Sequence, residues 1–249
     1  MRARPLLFAR SLFLFAGMVG LILVFALVIF VTVGTPAAPR RRRKLAAVCG
    51  RLCLRWFSVS AGLDYTVDGL EHLPPSTEGP TIVFWRHESA WETFLTLVLV
   101  PEPTWVLKHE LLWVPILGWG IRLLDPIAID RSSGREAVAR VLEIGQRQLL
   151  AGRTLHLFPE GTRLAPADRR RYGLSGALLA SSLGARIVPI AHDAGTYWPR
   201  RGFLKRPGTI RVLVGPPIAV TQGEPAEAIN ERAAAWMESA LASLRPASL

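Results

Sequence analysis

The sequence predicts an α/β fold: a mostly parallel central sheet flanked by helices, preceded by an N-terminal membrane helix or two-helix membrane motif. Three observations carry that expectation. Ser11 to Gly34 is an apolar run without a charge. Beyond Pro80, apolar segments of strand length alternate with helical patterns, as in a parallel sheet with helical crossovers. The formal charge of +11 is concentrated at one end: the first 60 residues hold ten of the 30 Lys and Arg and no acid, leaving 20 bases against 19 acids in the rest.

The run from Ser11 to Gly34, at about 1.5 Å per residue, exceeds the roughly 30 Å hydrocarbon core of a bilayer, so one membrane helix is the first expectation. A cleaved signal peptide would have a shorter apolar region, about 7–15 residues. Here the run is followed by Arg40-Arg41-Arg42-Arg43-Lys44, which resembles a stop-transfer flank. The heavier basic flank on the C-terminal side places the body in the cytoplasm, at the inner membrane. A helix pair dipping into one leaflet, with Leu45 to Leu63 as its amphipathic second arm, fits the same pattern. Either way residues 1–63 form the anchor and 64–249 the domain that follows. Cys49 and Cys53, four apart in this stretch, suit neither a disulfide nor a zinc site and read as small apolar fillers.

Tyr65-Thr66-Val67 opens the domain as a strand-like piece, and a turn cluster from Pro74 to Pro80 follows. Strands are expected at Thr81–Trp85, Pro126–Ile129, Thr154–Phe158, Ile187–Ala191 and Thr209–Val214. Helices are expected at Thr93–Val100, stopped by Pro101; at Arg135–Ala151, closed by Gly152; at Ser175–Leu183, closed by Gly184; and from about Glu224 to Leu244. In such a sheet the functional groups gather at strand ends. Half of the residues are hydrophobic, with 8 Trp and 10 Phe, which excludes a disordered chain; the mean hydropathy of +0.29 points to membrane contact. The nearly neutral body carries no nucleic-acid motif and no basic face interleaved with stacking aromatics, which argues against a nucleic-acid partner.

Three stretches carry chemistry. In Trp85-Arg86-His87-Glu88-Ser89-Ala90-Trp91-Glu92 a strand gives way to a helix, with His87 on the loop between. His87 and Glu92 are five apart, about 140° around an ideal helix, so they meet only if His87 precedes the helix and Glu92 lies in its first turn. Glu92 would then fix the tautomer of His87 and leave the other ring nitrogen to take a proton from a substrate hydroxyl. The same residues also read as a capping box, Glu92 reaching back to Ser89, and one carboxylate can serve both roles. In Phe158-Pro159-Glu160-Gly161-Thr162-Arg163 a tight turn at a strand end, with Arg163 and then Arg169-Arg170-Arg171, offers either an anion cradle or a solvated basic loop. Lys108 to Arg131 mixes Trp, Leu and Ile with single charges; it reads as an acyl-chain slot or a surface resting on lipid, with Lys108 and Arg131 as candidate phosphate ligands.

Together these blocks resemble the glycerolipid acyltransferases, most closely the bacterial 1-acyl-sn-glycerol-3-phosphate (lysophosphatidic acid) acyltransferases, over roughly Pro80 to Pro217. His87 and Glu92 match the family's His followed by an acid after four residues. Lys108, Glu110, Leu111, Pro115, Gly118, Asp130 and Arg131 match its second block. Phe158 to Arg163 match the third at every position, and Val188-Pro189-Ile190 match the fourth. The sequence departs from the family at two places. The usual acid is Asp rather than Glu92, in a subfamily pattern where Glu88 stands for Gln. The Lys that commonly follows the Tyr is replaced by Gly173 after Tyr172.

The resemblance implies transfer of a fatty acyl group from acyl-CoA or acyl-acyl carrier protein to the sn-2 hydroxyl of lysophosphatidic acid, giving phosphatidic acid in phospholipid biosynthesis, with no metal and no organic cofactor. It implies His87 as general base and Glu92 as its orienting acid. Glu160, Gly161 and Thr162 then shape the acceptor site, and Arg163, Lys108 and Arg131 bind the acceptor phosphate. The partners implied are membrane lipids, lysophosphatidic acid and the acyl donor. Alternative readings are acylation of another lysolipid, such as a lyso-ornithine lipid, and a non-catalytic module that binds anionic lipid.

Overall fold

The computed structural model describes residues 3–33, 38–73, 75, 78–100 and 102–245. Gly34, parts of the Pro74–Pro80 cluster and Pro101 lie outside them. The chain opens with two helices, α1 (Ala3–Val31) and α2 (Ala38–Ala61). They run antiparallel: Arg42 Nε near the start of α2 donates to Thr32 Oγ1 at the end of α1 (2.9 Å), and Trp56 Nε1 near the end of α2 donates to the Leu14 carbonyl (3.0 Å). Gly17 permits this approach, because a Cβ there would lie 2.1 Å from the Trp56 indole. α1 alone among the described helices is long and apolar enough to cross a membrane. α2 is basic at its start and amphipathic, as the second arm of a helix pair requires.

Seven strands form one sheet: β1 (Leu63–Asp68), β2 (Thr81–Trp85), β3 (Pro103–Lys108), β4 (Ile127–Ile129), β5 (Thr154–Leu157), β6 (Arg186–His192) and β7 (Gly208–Val214), in the order β1-β7-β6-β2-β5-β3-β4. All neighbours pair parallel except β6 and β7. All five expected strands are present, with no end shifted by more than one residue. β3 was not expected, because prolines at 101 and 103 argue against a strand interior. Pro103 in fact begins the strand, opposite Thr154 of β5.

Between the strands lie α3 (Glu92–Thr96), α4 (Leu117–Arg122), α5 (Arg135–Leu150), α6 (Ser175–Leu183), α7 (Ala194–Tyr197) and finally α8 (Ala226–Leu244). α3 is shorter than the expected Thr93–Val100. Beyond Thr96 the chain tightens, with the N–H of Leu97 donating to the Phe94 carbonyl and that of Val98 to the Leu95 carbonyl. α8 starts two residues later than Glu224, after Pro225. Gly184 ends α6 at φ 61°, the left-handed turn that glycine adopts without a Cβ penalty.

β2, all five residues of which are buried, divides the core by strand alternation. Ile82 and Phe84 pack with Leu155, Leu157, Leu179 and Ile229 on one face. Val83 and Trp85 pack on the other with Val188, Ile210, Phe57 of α2 and Leu14 of α1. The helix pair therefore shares a core with the sheet, and each large side chain it buries contributes roughly 1.5–3 kcal/mol. Ser11 Oγ of α1 also accepts the Lys205 N–H (2.9 Å). The opposite side of α1 leaves Leu12, Phe13, Val24, Leu27 and Val31 exposed.

Candidate active site

β2, β5, β3 and β4 are parallel neighbours, so the segments that leave their C-terminal ends meet on one edge of the sheet. From β2 come Arg86 and His87, from β5 Phe158 to Arg163, from β3 Lys108 and from β4 Arg131.

His87 precedes α3 and Glu92 is the first residue of that helix, the geometry that the five-residue spacing requires. His87 Nδ1 lies 2.8 Å from Glu92 Oε1. The same oxygen accepts the backbone N–H of Ser89 (2.9 Å) and of Glu88 (3.1 Å), so orienting and capping roles share one carboxylate. Three donors on one oxygen fix Glu92 as an anion: burial raises its pKa, but the His87 hydrogen bond leads the effects that hold it below the ordinary carboxylate value. The additional methylene relative to Asp is accommodated with an ordinary hydrogen-bond length. With Nδ1 donating to Glu92, His87 is a neutral imidazole whose Nε2 has no partner among the described residues. The ring stacks on Phe158 at 4.1 Å between centroids.

The loop carrying His87 is held from behind by ions. Arg86 Nε donates to Glu88 Oε1 (2.8 Å) and Nη1 to Glu160 Oε1 (3.0 Å), while Nη2 donates to the carbonyls of Ala165 and Asp168. Glu160 Oε2 accepts the His87 backbone N–H (2.9 Å), and the Leu164 N–H donates to the His87 carbonyl. The far oxygen of Glu88 accepts Arg245 at the end of α8 and the Gly195 N–H. His192 Nε2 lies 2.8 Å from the Arg86 carbonyl. Burial pushes the Glu160 carboxyl up to about 7, against the charge of Arg86, its hydrogen bond and the His87 N–H.

A hollow of about 390 Å³ opens in front of His87, with Lys108, Arg131, Thr162, Arg163, Arg200 and Arg201 on its walls. Through Thr93, Leu107, Leu111, Phe158 and Arg163 it shares walls with an apolar cavity of about 340 Å³ between α1, α2, α3, α4 and β3. The Lys108–Arg131 stretch thus contributes both to a cavity wall and to an exposed aromatic surface. Leu111, Leu117, Ile121 and Leu124 line the cavity, while Trp113 is 74% and Trp119 47% exposed.

Several sequence expectations are refined. The Gly161 N–H is not part of an anion cradle, since it donates to the Phe158 carbonyl (2.9 Å); its own carbonyl accepts Arg131. Glu160 is buried, its carboxylate engaged by Arg86 and the His87 backbone, and it does not line the hollow in front of His87. Lys108 pairs with Glu110 at the rim, and both are half exposed. Where relatives carry Lys, the Gly173 N–H donates to the Pro159 carbonyl and braces the turn. Arg200, Arg201 and the ionic support from Arg86, Glu88 and Arg245 were not singled out from the sequence. The arginine pair lies ten residues beyond the Val188-Pro189-Ile190 block and belongs to no motif.

Burial lowers the His87 pKa below its ordinary value, Glu92 opposes this, and the positive charges of Arg163 and Arg131 add to it. The neutral imidazole is the form able to accept a proton, so it persists through neutral pH and is lost only when pH falls through that lowered value. The acid limb of a kcat/KM profile is therefore expected below about 6.5, the ordinary histidine pKa. A limb centred above pH 7 would contradict this reading.

An apolar cavity that shares walls with a hollow holding a buried, carboxylate-paired histidine and several cations is the arrangement of an acyl-transfer enzyme. The chain belongs to the acyltransferase family, whose model matches residues 64–193. It is 41% identical over 191 residues to the 1-acyl-sn-glycerol-3-phosphate acyltransferase of Pseudomonas aeruginosa, covering 76% of this chain and 73% of that protein. It is 28% identical to the 1-acyl-sn-glycerol-3-phosphate acyltransferase LPAT1, chloroplastic, of Arabidopsis thaliana, over 71% of this chain and about half (49%) of the relative. The crystal structure of the 1-acyl-sn-glycerophosphate (LPA) acyltransferase PlsC from Thermotoga maritima has the same fold, with a TM-score of 0.79 over 100% of both chains at 20% identity.

Proposed function

We propose that this enzyme transfers a fatty acyl group from an acyl thioester to the sn-2 hydroxyl of 1-acyl-sn-glycerol-3-phosphate, giving phosphatidic acid. His87 Nε2 takes the hydroxyl proton as the oxygen attacks the thioester carbonyl. Glu92 stabilises the imidazolium that forms. The tetrahedral intermediate collapses with cleavage of the C–S bond, and the leaving thiolate takes the proton back from His87. The donor is acyl-CoA or acyl-acyl carrier protein, and its chain lies in the apolar cavity. Arg163, with Arg131 and Lys108, holds the acceptor phosphate; Thr162 lines the acceptor site, and Glu160 and Gly161 shape it from behind by holding the His87 N–H and Arg131. Residues 1–63 anchor the domain 64–249 at the inner membrane, with the domain on the cytoplasmic side.

The observation that carries this reading is the position of Arg163, on the wall shared by the apolar cavity and the His87 hollow. A cation there lies next to the reacting atoms of a substrate that is both lipid and phosphate. No salt bridge engages Arg163 among the described residues. A membrane assay with acyl-CoA and acyl-acyl carrier protein should show transfer to lysophosphatidic acid and little to a lysolipid without phosphate. Arg163→Ala should raise KM for lysophosphatidic acid about 10–100-fold, the equivalent of a charge-assisted hydrogen bond of roughly 1.5–3 kcal/mol. Equal use of a phosphate-free acceptor, such as a lyso-ornithine lipid, would refute the acceptor assignment.

A further inference from the structure

A second cation-lined hollow, of about 390 Å³, lies against the other side of the Phe158–Gly161 turn. Its walls include Arg131, Arg170, Arg171, Tyr172, Glu160 and Gly161. It shares Arg131 and Phe158 with the hollow in front of His87, so the two flank one turn and have one guanidinium in common.

The charges of this second hollow are unbalanced. Glu160 is engaged by Arg86 and by the His87 backbone N–H. Among the described residues Arg170 and Arg171 form no hydrogen bond or ion pair. Both also border the groove against α8 that contains Glu227, Glu231 and Glu238, yet no pair forms there within salt-bridge distance. Arg131 lines both hollows and so stands between the two sites; burial disfavours its charge, Glu110 supports it, and Arg163 and Arg170 oppose it from either side. Several guanidiniums around an open volume, without matched carboxylates, are the electrostatic complement of a multiply charged anion.

The acceptor has a single phosphate, already assigned to the Arg163 side. The other substrate brings its own. Acyl-CoA and acyl-acyl carrier protein both carry the thioester on a phosphopantetheine arm, and an arm that leaves His87 along the Phe158–Gly161 turn reaches this hollow, which shares Val106, Arg131 and Phe158 with the one in front of the histidine.

We propose that the hollow formed by Arg131, Arg170 and Arg171 binds the phosphate of the donor's phosphopantetheine arm. The two phosphates of the reaction then occupy opposite sides of the Phe158–Gly161 turn, with Arg131 between them. This assignment rests on the acyl-transfer reading above and adds a donor site to it.

The test uses the membrane protein carrying Arg170→Gln and Arg171→Gln together, and the donors acyl-CoA, acyl-acyl carrier protein and acyl-pantetheine, the last of which lacks the phosphate. The double variant is expected to raise KM for acyl-CoA and acyl-acyl carrier protein at least tenfold. KM for lysophosphatidic acid and for acyl-pantetheine should change less than twofold. Arg169→Gln, on the same loop but lining only the groove against α8, should leave all four values unchanged.

A rise confined to lysophosphatidic acid would overturn the proposal, because the hollow would then serve the acceptor. So would a rise with acyl-CoA alone, which would assign the hollow to the nucleotide phosphates. An equal loss with acyl-pantetheine would mean that the arginines act on the fold rather than on a phosphate. If the wild-type protein acylated no lysophosphatidic acid with any donor, the acyl-transfer reading itself would fail, a result separate from unchanged donor KM in an active enzyme.

Discussion

Glu92→Gln is expected to lower kcat by about 10³ while leaving the fold in place. The glutamine oxygen can still accept from His87 Nδ1 and from the N–H groups of Ser89 and Glu88, where Glu92 Oε1 now sits. Its amide nitrogen replaces Oε2, which is buried without a hydrogen-bond partner. What disappears is the negative charge beside an imidazolium that exists only during proton transfer. At an effective dielectric of about 20 and about 4 Å, that charge is worth roughly 4 kcal/mol, or about 10³ in rate. Because Glu92 raises the His87 pKa and burial lowers it, the variant histidine is still more firmly neutral at pH 7. Raising the pH therefore should not restore the rate, which separates loss of transition-state stabilisation from simple protonation of the base. His87→Ala should lose at least as much, and chemical-step rates from single-turnover acylation measure both. A Glu92→Gln enzyme within a few-fold of wild type would remove Glu92 from the mechanism.

The pairing of His87 with Glu92 was legible in the sequence because it depends on local geometry alone. A strand ending at Trp85 and a helix beginning by Glu92 leave His87 one place to be, and the capping-box spacing turns the carboxylate back toward it. The alternating strands and helices were legible for a similar reason, since period and end signals are local. β3 was hidden by its flanking prolines. The ionic support behind His87 was hidden by distance: Arg86 reaches Glu160 across 74 positions, and Glu88 meets Arg245 across 157. Nothing in the composition of either segment announces the other. The same holds for Arg200 and Arg201, whose presence beside His87 follows from the return of the chain between β6 and β7.

The Glu88 departure from the family pattern takes its meaning from that support. A glutamine offers one acceptor, whereas Glu88 accepts Arg86 with one oxygen and Arg245 and the Gly195 N–H with the other. The final helix is thereby tied to the loop that carries His87. Rigid placement of a catalytic group by surroundings of this kind is what allows a base to act without reorganisation.

Arg86→Met is the expected largest stability defect. The guanidinium is buried, and it neutralises Glu160 and one oxygen of Glu88, both buried as well. Its own charge is held by those carboxylates: burial disfavours it, and Glu160 and Glu88 more than compensate. Removing one partner of a buried pair costs about 3–5 kcal/mol, since the remaining carboxylate must stay charged without a partner or take up a proton. For a chain of this length that corresponds to a fall in Tm of about 10 °C. Arg86→Met combined with Glu160→Gln should recover part of the loss, because the neutral amide can still accept the His87 N–H and no longer needs a cation. Two costs that failed to combine sub-additively in a double-mutant cycle would show that Arg86 and Glu160 do not act as a pair. Thermal unfolding of the single and double variants in one detergent gives the comparison. A Tm within 2 °C of wild type for Arg86→Met would mean that the ionic support behind His87 contributes little to holding the site together.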